Sequence, residues 1–208
     1  MTMTGDDLRA ATAWATNLLV PLAGRDWTVP CGDTEYTCRR TLNHLADCML
    51  FYAGALATRA TRWAPDIRHG APDETSVPQL LRAFEGAATI LAVVTDEADA
   101  SVRAHHPAGM SDPEGFAAMG CDEVLVHAYE IATSVGAPPA EVPDELAARV
   151  VARLFPWAPN GFGGLETLLW CNGRIALGPH KRQGPDWSWQ CAPLAEWDGT
   201  VKKWRPRG

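Results

Sequence analysis

Four segments, residues 5–22, 34–59, 77–99 and 113–135, repeat apolar side chains at spacings of three and four. That period belongs to an α-helix with one face turned to a core, and it does not fit a strand. Leu8, Ala11, Ala15, Leu18 and Leu19 share a face in the first segment; Leu42, Leu45, Met49, Tyr52 and Leu56 do so in the second. The third places Leu80, Leu81, Phe84, Ala88, Leu91 and Val94 together. "AGRDWTVPCGD" breaks the first helix, with Asp33 or Thr34 placed to cap the next, and "RWAPDIRHGAPDETS" is a Pro-rich loop. The fourth helix has a clean start: Asp112 as cap, Pro113 at the first position and Glu114 beside the positive helix end. Gly136 and two prolines close it, and shorter helices are predicted over 142–155 and 164–173. "HHPAGM" reads as a loop in which His105 and His106 are solvated. The predicted class is all-α, an antiparallel four-helix bundle with an extra helix and an irregular Trp-rich C-terminal segment.

At 208 residues and 47% hydrophobic, the chain is expected to form one domain, a bundle over 1–156 with an extension over 157–208 packed on it. A net charge of −7, with a basic run only in "VKKWRPRG", argues against nucleic acid as a partner. No window holds eighteen apolar residues in a row, and "MTMTGDDLRA" lacks a signal-peptide layout, so the expectation is a cytoplasmic protein without a membrane partner. Six cysteines without a C-x-x-C pair read as reduced thiols; Cys48 and Cys121 are expected to pack as small hydrophobes. Six of the nine tryptophans lie in the last third, where they cap the open end of the bundle or wall a substrate cavity. "GFGG" lacks the spacing of a nucleotide-binding loop.

The polar chemistry sits in "CDEVLVHAYEIA". Stepping about 100° per residue from Glu123 puts His127 about 40° away and Glu130 about 20° to the other side, among Phe116, Met119, Val126 and Ile131. Glu123 and His127 therefore point inward, whereas Asp122 turns toward solvent. His44, among Leu45, Cys48 and Phe51, has the same placement on the second helix. Two imidazoles and a carboxylate match a catalytic zinc site, which keeps a fourth position open. The spacing alone equally fits an exposed i,i+4 polar pair. Glu130 is placed to hydrogen-bond a metal ligand or to serve as a structural carboxylate, and Tyr52 to line a pocket or fill the core.

"DWTVPCGDTEYTCRRTLNHLAD", the Glu-x-x-x-His of the fourth helix and "LETLLWCNGRIALG…DWSWQCAPLAEW" resemble, in that order, the motifs of the DinB-like metal-binding bundles. Within these the chain is most similar to the mycothiol-dependent maleylpyruvate isomerase N-terminal family. That resemblance implies a four-helix bundle holding a divalent metal, usually zinc, through His44, Glu123 and His127, with mycothiol as cosubstrate. Arg174 matches the arginine of the late motif, for which the resemblance implies contact with an anionic substrate; a structural ion pair to the bundle is the alternative. The family's isomerase carries a further C-terminal domain, and an arginine often found before the metal-binding Glu is replaced here by Met119, Gly120, Cys121 and Asp122. The implied activity is therefore thiol S-transfer to, or isomerisation of, an electrophilic small molecule other than maleylpyruvate. Metal-assisted hydrolysis or cyclisation, or a non-enzymatic metal-stabilised bundle, are the alternatives. A monomer or homodimer is expected.

Overall fold

A computed structural model describes residues 2–62, 70–72, 74–138 and 141–203. Most of the loop after the second helix, and Trp204, lie outside the described residues. The chain is predominantly helical: α1 (Gly5–Leu19), α2 (Cys38–Ala57), α3 (Val77–Glu97), α4 (Pro113–Ser134), α5 (Asp144–Leu154) and α6 (Gly164–Cys171). A two-stranded antiparallel hairpin, β1 (Ala104–His106) and β2 (Gly109–Ser111), precedes α4. Neighbour relations run in a ring, α1 against α3, α3 against α2, α2 against α4 and α4 against α1, and α5 packs on α4 from outside.

Of the 22 residues of α4, 17 are buried, so it is the helix around which the others close. A helix apolar nearly all round has no solvent face to expose. Gly120 permits that closure, since a Cβ there would lie 2.5 Å from Leu8 Cδ2 and 3.0 Å from Leu91 Cδ2. α3 is, by length and composition, apolar enough to cross a bilayer; its inner face of Leu80, Leu81, Phe84 and Leu91 is buried within the fold.

Helix starts follow local chemistry. Asp112 accepts a hydrogen bond from Gly115 N at 2.9 Å with Pro113 next to it, as the sequence predicts. The start of α2 differs. Its cap is Thr37, accepting from Arg40 N at 3.2 Å, rather than Asp33 or Thr34. Residues 29–38 form a tight antiparallel turn, with Cys31 N donating to Tyr36 O at 2.8 Å and Cys38 N to Val29 O at 3.0 Å. Those pairings hold 34–37 out of the helix. Asp33 instead meets Arg182 at 2.6 Å.

The hairpin corrects a second expectation. His106 is buried, not solvated: its ring lies 5.4 Å from that of Tyr52 and 5.3 Å from that of Trp189, and Nδ1 accepts from Ala108 N at 3.1 Å. Burial pushes its pKa down to about 4.

One buried cation fastens the C-terminal segment. Arg153 on α5 donates to Asp112 Oδ1 at 2.5 Å and to the carbonyls of Gln190 and Cys191 at 3.1 Å each. Asp112→Ala removes the cap of α4 and the carboxylate nearest the buried guanidinium, leaving it two carbonyls and Glu114 at 3.9 Å. It should lower stability by about 3–5 kcal/mol in chemical denaturation. A loss below about 1 kcal/mol would show that Arg153 does not depend on this partner.

Candidate metal centre

Because α2 and α4 are neighbours, their inward polar residues meet. His44 and Cys48 lie one turn apart on α2, and Glu123 and His127 one turn apart on α4. Glu123 Oε2 stands 3.2 Å from His127 Nε2 and 3.8 Å from His44 Nε2. The two imidazole rings are 5.5 Å apart. Two nitrogen or oxygen ligands of one tetrahedral zinc lie about 3.3 Å apart, so these separations are close to those of a shared cation. The donor atoms of His44, Cys48 and Glu123 all fall within 4.8 Å of one another, and this group could hold a metal ion. The donor types, imidazole, carboxylate and thiol, are those that zinc takes.

Second partners orient the donors. Tyr52 donates its hydroxyl to Glu123 Oε1 at 2.9 Å, which leaves Oε2 turned to the histidines. His127 Nδ1 is 2.9 Å from Glu130 Oε2, so Nε2 is the nitrogen that faces Glu123. A carboxylate behind a histidine is the usual support of a metal-binding imidazole. Arg174 Nε donates in turn to Glu130 Oε1 at 2.6 Å. Burial alone would raise the Glu123 carboxyl, yet the hydrogen bond and charge of His127, with His44 and Tyr52, hold it well below the usual range. Burial likewise opposes a charged His127, but Glu123 and Glu130 together lift its pKa well above 6.5. Tyr52, fully enclosed, is held above the ordinary phenol range by burial and by the Glu123 charge.

Asp122 is buried at 1% exposure, not turned to solvent. Asn172 Nδ2 donates to its Oδ1 at 2.8 Å and Trp189 Nε1 to its Oδ2 at 3.1 Å. Both partners belong to the C-terminal segment, which covers the side of α4 that helical spacing leaves open. Burial pushes this carboxyl up to about 7 against those two hydrogen bonds.

Two adjoining cavities share His44, Glu123, Trp187 and Trp189 in their walls. One, about 360 Å³, continues past His127, Asn172 and Arg174. The other, about 400 Å³, is bounded by Cys48, Phe51, Tyr52 and His106.

Of the residues singled out in the sequence, His44, Glu123, His127, Glu130 and Arg174 are thus brought into one connected cluster, with Tyr52 beside them. Arg174 has both expected roles available, since it is ion-paired to Glu130 and also lines the first cavity. Spacing did not single out Asp122, Asn172 or His106, and it treated Cys48 as packing. Cys48 is buried in the core, as expected, and also has its Sγ 3.4 Å from His44 Nε2. Compared with known proteins, the chain matches no family model, no curated protein and no solved structure.

A cation bound at His127 Nε2 would have to displace the proton there. With the imidazole pKa lifted by two carboxylates, His127 keeps that proton at pH 7, so binding must expel it. Zinc affinity measured by competition with a chromophoric chelator should rise at least about tenfold per pH unit from pH 6 to 8. A flat profile would place the cation elsewhere.

Proposed function

We propose that this chain is a DinB-like, metal-dependent enzyme that activates a low-molecular-weight thiol, mycothiol, for S-transfer to or isomerisation of an electrophilic small molecule. Its divalent cation, zinc, is held by His44, Glu123 and His127. The observation that carries the reading is the approach of both imidazole Nε2 atoms to Glu123 Oε2 where two cavities meet. When bound, the cation would favour the thiolate form of a thiol beside it, the nucleophilic form.

The protein's own residues then do the rest. Tyr52 fixes the Glu123 carboxylate in one orientation, and Glu130 fixes the His127 ring. Arg174, half-buried beside Glu130, presents a cationic edge to the first cavity, suited to an anionic group of the thiol or of the electrophile. Trp187 and Trp189 restrict water at the meeting point of the cavities, which lengthens the life of a thiolate there. A reducing cytoplasm, where such thiols are kept reduced, is the compartment this chemistry needs.

The test is thiol consumption by the zinc-loaded protein with mycothiol and a panel of electrophiles. Turnover should appear with at least one electrophile. It should fall at least about tenfold in Glu130→Gln, which leaves His127 without its carboxylate partner. No consumption of any thiol with any electrophile would contradict the proposal.

A further inference from the structure

The α2 side of the centre carries a donor that the proposed function does not use. Cys48 Sγ lies 3.4 Å from His44 Nε2 and 3.7 Å from His44 Nδ1. In a tetrahedral zinc site a thiolate sulfur at about 2.3 Å and an imidazole nitrogen at about 2.0 Å stand about 3.5 Å apart. The sulfur also falls within 4.8 Å of the Glu123 oxygen. It borders the aromatic cavity beside Phe51, Tyr52, His106 and Trp187.

We infer that Cys48 is a fourth, displaceable donor to the cation, which yields its position to the sulfur of an incoming thiol. The inference rests on the reading that His44, Glu123 and His127 hold a cation. With three protein ligands a zinc site stays open, and with four it is closed. A closed site reacts only if one donor leaves. Cys48 is the one sulfur among the four donors, so an incoming thiol replaces it like for like. Its sulfur borders the aromatic cavity from which a thiol would arrive. The exchange balances: the S–H bond of the incoming thiol breaks, its proton passes to the Cys48 sulfur, and Cys48 withdraws as a neutral thiol. One thiolate has replaced another, so the charge of the centre is unchanged. Selectivity follows from this, because an oxygen nucleophile would be a poor substitute for sulfur at that position. In the resting protein Cys48 also keeps water from it.

Cobalt(II) reports this without any turnover, since a thiolate bound to it gives a near-ultraviolet charge-transfer absorption that nitrogen and oxygen donors do not. The full chain loaded with Co²⁺ should show that band with no added thiol. Cys48→Ser and Cys48→Ala should each still bind one Co²⁺ per chain, lose the band, and recover it when 2-mercaptoethanol is added. A cobalt-loaded wild-type protein without the band overturns the inference while leaving the metal site standing. So does a band that survives in both variants, or one that the added thiol does not restore. If the wild-type chain takes up no cobalt at all, the metal reading beneath the inference falls too.

Discussion

A carboxylate inside a helix that is buried on almost every side is the constraint from which this structure follows. Glu123 is only 9% exposed. An unpaired charge there would cost several kcal/mol, more than a domain of this size can readily spare. The surroundings answer with a phenol on one carboxylate oxygen and two imidazoles near the other. His127 lies one helical turn from Glu123 on α4, and His44 and Tyr52 lie two turns apart on α2. The compensation therefore requires α2 and α4 to lie side by side in one register, which ties the packing of the fold to its polar centre. Glu130 and Arg174 extend the arrangement outward, so that positive and negative groups alternate from the interior to the cavity rim.

The irregular C-terminal segment is held to this centre by the same logic. Arg153 joins the beginning of α4 to the carbonyls of Gln190 and Cys191. Asp122 draws in Asn172 and Trp189. Trp189 thereby becomes a wall of both cavities, with Trp187 beside it. The segment thus contributes to the site as well as to stability, despite having little regular structure of its own.

Helices were legible in the sequence where apolar period and cap agreed, as at Asp112–Pro113 and along Leu80 to Leu91. The inward direction of Glu123 and His127 was legible for the same reason. What escaped depends on contacts distant in sequence. Asp122 is buried with hydrogen bonds from Asn172 and Trp189, fifty and sixty-seven positions on. His106 lies in a hairpin of three-residue strands, too short for any period to show, and its burial comes from the rings of Tyr52 and Trp189. The start of α2 moved because backbone pairing across 29–38 outweighs the capping tendency of Asp33 and Thr34. Cys48 packs in the core as its sequence surroundings suggest, and its nearness to the Glu123 carboxylate appears only when α4 lies beside α2.

The proposed function requires one cation between α2 and α4 at the Glu123 carboxylate. Anomalous scattering from crystals of the protein grown with zinc tests it most directly. One strong peak per chain is expected, about 2.0–2.2 Å from His44 Nε2, Glu123 Oε2 and His127 Nε2. A well-ordered crystal with no peak there, or with zinc only at surface residues, would contradict it.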